Sequence, residues 1–240
     1  MTGDKANPVA GWSQLHGEDV SESRLVVGWL RFVHALARPF DRVHPDLLSL
    51  AGVVVAGGAV AAAAAGGLWA LLALLLVVAT GVLDGLDGAV ALRTGRVRPL
   101  GAVVDAVADR LADVLLVLVL AVLGVGTWWC AAIGGSVLLH EYARAKAQAV
   151  GMASAGAITV AERPIRVIVV AIACAGTALA PGGTPLFGWS WAVVSALVWT
   201  VCAVAGFGQL AAGIRRELAG RPWTGPFASG RSDQAGDDLR

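Results

Sequence analysis

The sequence predicts an all-α, polytopic membrane protein with six transmembrane helices and an N-terminal amphipathic interfacial helix. Of its 240 residues, 57% are hydrophobic and only 15% are charged, and the mean hydropathy is +0.73. Soluble domains carry considerably more charge, so this composition excludes an ordinary soluble protein. The positions of the apolar stretches and of the basic residues indicate the same fold class.

The chain divides by composition into three parts. We expect a cytoplasmic N-terminal segment over residues 1–43, a six-helix membrane domain over residues 44–215, and a disordered cytoplasmic tail over residues 216–240. The first 20 residues are polar and contain no apolar core, so no cleaved signal peptide is expected. The tail is rich in Gly, Asp, Ser and Arg, a composition typical of disorder.

The segment 22–42 alternates basic and apolar residues at helical spacing. This pattern is typical of an amphipathic helix that lies on a membrane surface. A plain helix packed on its neighbours is the alternative.

Six apolar stretches follow, each about as long as the roughly 20 residues that a transmembrane helix needs. They run over residues 47–66, 68–91, 101–124, 128–149, 164–181 and 189–212. All 18 Lys and Arg residues fall on or near the side that holds both termini and the loops at 92–100 and 143–166. The positive-inside rule therefore places both termini on the cytoplasmic side, here of the plasma membrane.

Four aspartates lie within two of these predicted membrane helices. Asp84 and Asp87 are spaced i, i+3, and Asp105 and Asp109 are spaced i, i+4, so each pair shares one helix face. A carboxylate in lipid costs several kcal/mol and marks an ion or substrate site. Oxygen ligands of this kind suit Mg²⁺ or Mn²⁺. The alternative is a structural role in pairs with arginines such as Arg110, but one arginine does not neutralise four acids.

This stretch resembles the motif of the CDP-alcohol phosphotransferase (CDP-alcohol phosphatidyltransferase) family, D-x2-D-G-x2-A-R-x8-G-x3-D-x3-D. The matching residues are Asp84, Asp87, Gly88, Ala91, Gly101, Asp105 and Asp109. The motif arginine is replaced by Leu92, with Arg93 next along, and the resemblance covers about residues 44–210.

The resemblance implies two Mg²⁺ or Mn²⁺ ions that bridge the pyrophosphate of a CDP-linked donor. The acceptor hydroxyl would attack the β-phosphorus, and CMP would leave. Asp84, Asp87 and Asp105 would bind metal. Asp109 would bind the second metal and act as the catalytic base for the acceptor proton.

On the donor side, residues 44–52 (HPDLLSLAG) stand where the family has TPNxxTxxG, with His44 and Asp46 replacing the usual Thr and Asn. Gly88 would permit close approach of the nucleotide, although simple helix packing is its alternative role. Arginines of the 92–100 loop could replace the missing motif charge. The predicted donor-binding residues are Asp46, Ser49, Gly88, Arg93 and Arg98.

A second basic set lies beyond the motif, and its members are predicted to bind the acceptor: Arg144, Lys146, Arg163 and Arg166. Arginine favours phosphate, so these cations indicate an anionic acceptor. The alternative is that they are only positive-inside anchors. The set is similar to that of actinobacterial phosphatidylinositol phosphate synthases, which have K-A-R and E-R-P-x-R segments here. In that subfamily the basic residues bind inositol phosphate.

The sequence therefore predicts a phospholipid-synthesising transferase. It would move a phosphatidyl group from CDP-diacylglycerol to inositol phosphate or glycerol phosphate, among membrane lipids and with no nucleic-acid partner. The family resemblance implies a homodimer. The alternatives are a weakly active family member with an uncharged alcohol acceptor, a structural membrane protein with an inactive metal site, and an ion-coupled transporter. Transporters usually show two repeated halves, and only one acidic hairpin is evident here.

Overall fold

A computed structural model describes residues 24–152 and 162–220. All regular structure in these two ranges is helical, which confirms the all-α class. The helices are α1 (Arg24–Ala37), α2 (Pro45–Ala65), α3 (Trp69–Thr94), α4 (Pro99–Val122), α5 (Thr127–Ala149), α6 (Arg163–Leu179) and α7 (Trp191–Leu218), and the 3₁₀ turn Arg38–Phe40 follows α1. The tail expected to be disordered over residues 216–240 begins later than predicted, because α7 continues to Leu218. Its part from residue 221 onward falls outside the described residues.

Several of these helices begin with a proline at the end of the bundle where the loop between α3 and α4 lies. Pro45, Pro99 and Pro164 each stand in the first turn, where a missing backbone N–H removes no helical hydrogen bond. At the same end α3 stops at Gly95, whose φ of 67° is left-handed and favours glycine. The loop from α3 to α4 is therefore short and brings the acidic halves of both helices together.

Three helices are long and apolar enough to cross a membrane, namely α2, α3 and α7. This finding identifies a membrane protein. The remaining predicted spans are also helical, but α6 has only 17 residues. Helix α4 differs because it carries four charged side chains: Asp105, Asp109, Arg110 and Asp113.

The core lies between α2 and the later helices. Helix α2 packs against both α3 and α4, and α6 also packs against both. The contact between α3 and α6 is tight, because a Cβ on Gly81 would lie 3.2 Å from the methyl groups of Val167. Asp84 lies one turn beyond Gly81, and Arg163 lies one turn before Val167. This close packing therefore brings the Asp84 carboxylate and the Arg163 guanidinium together.

Helix α1 packs on its neighbours through one face. Val33 and Ala37 are buried against Leu86 and Val90 of α3. On the outer side of α1, Phe32 is 54% exposed, an unusual position for a phenylalanine in water.

Candidate metal centre

Two helices bring four carboxylates to one end of the bundle. Asp84 and Asp87 lie on α3, and Asp105 and Asp109 lie on α4. One carboxylate oxygen from each of Asp84, Asp105 and Asp109 lies within 4.8 Å of the others. We call these four residues the aspartate cluster.

Asp87 is the buried member of the cluster, with 5% of its surface exposed. The Ser49 hydroxyl donates to its Oδ2 over 2.5 Å, and the Gly88 backbone N–H donates to its Oδ1 over 2.6 Å. These contacts fix the orientation of Asp87 towards the other acids.

One arginine enters the cluster from α6. Arg163 Nη1 lies 3.0 Å from Asp84 Oδ1 and also forms an ion pair with Asp109. Arg110 of α4 lies farther off, 3.7 Å from Asp109 Oδ2. These two guanidinium groups do not balance the four carboxylates, so an excess of negative charge remains. Carboxylate oxygens are the hard donors that Mg²⁺ and Mn²⁺ prefer, so the residues present fit a divalent cation.

A second charged group adjoins the cluster and is balanced in charge. Arg166 Nη1 lies 2.6 Å from Asp113 Oδ2, and its Nη2 lies 3.0 Å from Glu141 Oε1. Arg110 contacts the same two acids, at 3.2 Å from Asp113 and 3.1 Å from Glu141. We call these four residues, which join α4, α5 and α6, the ionic network.

The range of the chain that contains both groups matches a known family. Residues 42–207 match the family model described as CDP-alcohol phosphatidyltransferase, and this range is more than half of the chain. The chain belongs to the CDP-alcohol phosphatidyltransferase family. It is therefore related to transferases, and its aspartate cluster lies inside the family domain.

Three curated relatives are archaetidylinositol phosphate synthases. The protein of Aeropyrum pernix is 34% identical over 124 residues, covering 51% of this chain and 63% of the relative. The protein of Methanothermobacter thermautotrophicus is 34% identical over 147 residues, covering 58% of this chain and 70% of the relative. The protein of Pyrococcus horikoshii is 35% identical over 102 residues, covering 41% of this chain and 53% of the relative. The chain thus spans less than two thirds of the first and third relatives, and no solved structure shows significant similarity to it.

Two of the predicted donor-binding residues lie at the cluster. Ser49 holds the Asp87 carboxylate, and Gly88 is exposed, with no atom within 4 Å of the position that a Cβ would take. Two others pair with each other, since Arg98 forms an ion pair with Asp46 in the first turn of α2. This pair lies over the motif residue Gly101, where an added Cβ would meet the Arg98 Cγ at 3.3 Å.

The fifth predicted donor-binding residue, Arg93, is engaged elsewhere. Its Nε and Nη2 donate to the two carboxylate oxygens of Asp41 over 2.9 and 2.8 Å, and its Nη1 lies 3.0 Å from His34 Nε2. Arg93 therefore fastens α1 to the end of α3. One residue along a helix turns a side chain by about 100°, so Arg93 points in a different direction from the side chain at Leu92.

Of the four predicted acceptor-binding residues, Arg163 contacts the aspartate cluster. Arg166 is 3% exposed and belongs to the ionic network. On α5, Arg144 is half-buried and Lys146 is exposed. The structure therefore brings one of these four cations directly to Asp109.

Sequence reasoning missed Asp113 and Glu141. A signal for Asp113 existed, because it continues the i, i+4 series of Asp105 and Asp109 along one face of α4. Glu141 lies shortly before the basic pair on α5, and nothing in the sequence pattern shows which arginine it would meet.

Proposed function

We propose that this chain transfers a phosphatidyl group from CDP-diacylglycerol to inositol phosphate and releases CMP. The observation that carries the proposal is that carboxylate oxygens of Asp84, Asp105 and Asp109 lie within 4.8 Å of one another, with Arg163 beside Asp109, inside the family domain. The curated relatives named as archaetidylinositol phosphate synthases support inositol phosphate as the acceptor.

In the proposed reaction, Asp84, Asp87, Asp105 and Asp109 hold two Mg²⁺ or Mn²⁺ ions. When bound, such ions supply positive charge that stabilises the phosphate oxygens of the donor during transfer. Ser49 keeps the Asp87 carboxylate aimed at the site through its 2.5 Å hydrogen bond. The open space beside Gly88 admits the cytidine nucleotide.

Asp109 is the proposed base. The acceptor oxygen forms a bond to the β-phosphorus of the donor, the bond from that phosphorus to the CMP oxygen breaks, and the Asp109 carboxylate takes the hydroxyl proton. Arg163 lies against Asp109, so a phosphate bound by its guanidinium brings the acceptor next to the base. The Asp46–Arg98 pair lies at the donor side and orients the nucleotide.

We also propose that α2 to α7 each cross the plasma membrane and that α1 lies on its cytoplasmic surface. An even number of crossings returns the chain to the side on which it began. The arginines that end or begin α3, α4, α6 and α7 then share the cytoplasmic end with the aspartate cluster. The exposed Phe32 of α1 would enter the headgroup region. A homodimer in the membrane is the proposed assembly.

One observation favours a different acceptor. Arg166 is held by Asp113 and Glu141, which leaves fewer cations beside Asp109 for an acceptor phosphate. An uncharged alcohol acceptor is therefore the second candidate.

The test uses the purified full chain in lipid nanodiscs with CDP-diacylglycerol. Inositol phosphate, glycerol phosphate and free inositol are offered separately, and mass spectrometry identifies the lipid product and CMP. We expect phosphatidylinositol phosphate from inositol phosphate only, loss of product with EDTA, and recovery with Mg²⁺ or Mn²⁺. Product from free inositol would establish the uncharged acceptor instead, and absence of CMP with every acceptor would refute the transferase proposal. CDP-archaeol in a parallel reaction reports whether the donor is an ether lipid.

A further inference from the structure

We propose that Asp113 is a positioning residue: its ion pair with Arg166 sets the register of α6 against α4 and so holds Arg163 at Asp84 and Asp109. The role of Arg163 in acceptor binding rests on the proposed function. The positioning of one helix on the other does not.

The geometry shows two ion pairs between the same two helices. Asp109 and Asp113 are spaced i, i+4 on α4, and Arg163 and Arg166 are spaced i, i+3 on α6. Each spacing places its two side chains on one face, one turn apart. Arg163 pairs with Asp109, and Arg166 pairs with Asp113 over 2.6 Å. A shift of α6 along α4 would break both pairs together.

The inner pair is the one that resists such a shift. Asp113 is 1% exposed and Arg166 is 3% exposed, so neither charge can exchange its partner for water. Breaking a buried ion pair leaves an uncompensated charge and is strongly unfavourable. Arg163, in contrast, lies at the open end of the bundle among partly exposed carboxylates. The buried pair therefore fixes the position of α6 along α4, and this position places Arg163 beside the aspartate cluster.

Glu141 of α5 contacts both guanidinium groups of the ionic network. It accepts from Arg166 at 3.0 Å and contacts Arg110 at 3.1 Å. Arg110 Nη2 also lies 3.2 Å from Asp113 but 3.7 Å from Asp109. Asp113 and Glu141 thus hold Arg110 closer to themselves than to Asp109, and Arg163 makes the shorter ion pair with Asp109.

A double-mutant cycle tests the inference by kinetics. Asp113→Asn keeps the side-chain shape and removes the charge, and it is made in the wild-type chain and in Arg163→Ala. The concentration of CDP-diacylglycerol is held constant. We expect Asp113→Asn to raise the KM for inositol phosphate by roughly tenfold in the wild-type background, because the inferred effect of Asp113 acts through Arg163 and coupled residues are not additive. In the Arg163→Ala background the same change should have little further effect. Equal fold-changes in the two backgrounds would overturn the inference.

A distance measurement tests the same inference without any activity. Spin labels at the exposed positions Val107 on α4 and Ile168 on α6, in a chain without native cysteines, report the register by pulsed electron paramagnetic resonance. We expect Asp113→Asn to broaden or shift the distance distribution. Thr177→Val is the control on α6, since its hydroxyl only bonds the Ala173 carbonyl. An unchanged distribution in Asp113→Asn would overturn the inference even if the chain had no transferase activity.

If Asp113→Asn does not fold, Asp113→Glu decides, because it keeps the charge but lengthens the side chain by one methylene group. A shifted distance distribution in Asp113→Glu supports the inference that this pair sets the register. The wild-type distribution in Asp113→Glu refutes it.

Discussion

The aspartate cluster and the ionic network share α4 and lie one turn apart, yet their charge balance differs. The cluster holds four carboxylates, paired with Arg163 and more distantly with Arg110, whereas the network holds two carboxylates and two arginines. Exposure does not separate the two groups, since each has a buried and a partly exposed acid: Asp87 and Asp84 in the cluster, Asp113 and Glu141 in the network. A balanced group can serve structure by itself, whereas an unbalanced group needs cations from outside.

The two groups therefore depend on each other. The network occupies Arg110 and Arg166, which would otherwise be free to neutralise the acids of the cluster. The remaining excess of negative charge is the property that attracts divalent cations. Helix α4 supplies acids to both groups, so a change that destabilises the network is also expected to disturb the candidate site.

The largest effect that separates the two groups is expected from Asp105→Asn. Losing one metal-ligand charge should lower kcat by about three orders of magnitude, because bound metal contributes several kcal/mol to phosphoryl transfer. CMP release measures the effect. Asp41→Asn is the matched control, since Asp41 pairs with Arg93 at the far side of α3 and should leave kcat unchanged. Full activity of Asp105→Asn at millimolar Mg²⁺ would contradict the metal assignment.

The next effect is on stability and should appear in the network. Arg166→Ala leaves the buried Asp113 and the partly exposed Glu141 short of a partner, so we expect a loss of about 3–5 kcal/mol. Arg163→Ala, measured in Mg²⁺, should lose far less, because the cluster is more open to solvent and ions. Thermal unfolding in detergent compares the two variants. Equal losses would remove the distinction between the two groups.

The sequence predicts the helices and the cluster better than it predicts the partners of the arginines. Every predicted apolar stretch overlaps one helix, because hydrophobic length is a local property. The four aspartates converge as their spacing and the short loop indicate. The partners of the arginines are harder to predict. Arg93 pairs with Asp41 and Arg166 pairs with Asp113 because of the rotation of α1 and α6 about their axes relative to the neighbouring helices. That rotation is set by contacts such as Gly81 with Val167, which no single helix encodes.

The smallest effect concerns a third, more exposed group, in which Arg93 joins Asp41 and His34. Burial and the nearby Arg93 and Arg38 lower the pKa of His34 below 6.5. The folded chain then binds fewer protons than the unfolded chain, so stability should fall as the pH falls through 6.5 towards the folded pKa. The hydrogen bond from Arg93 lowers the pKa of Asp41, and that contribution is lost only below about pH 4.

Thermal unfolding between pH 8 and pH 5 checks this, with His34→Gln as the comparison. The variant should show a shallower loss of Tm on acidification than the wild type. Identical pH profiles would show that this exposed group does not couple to stability.

Manganese binding to the purified chain tests the central claim most directly, because it separates the cluster from the network without any substrate. Electron paramagnetic resonance measures free Mn²⁺ during titration of wild type, Asp105→Asn and Asp113→Asn. We predict that Asp105→Asn weakens binding by at least about tenfold. Asp113→Asn should weaken it far less, because all four carboxylates of the cluster remain and Glu141 still contacts Arg110 and Arg166. Wild-type affinity in Asp105→Asn, or loss of binding in Asp113→Asn alone, would contradict the account.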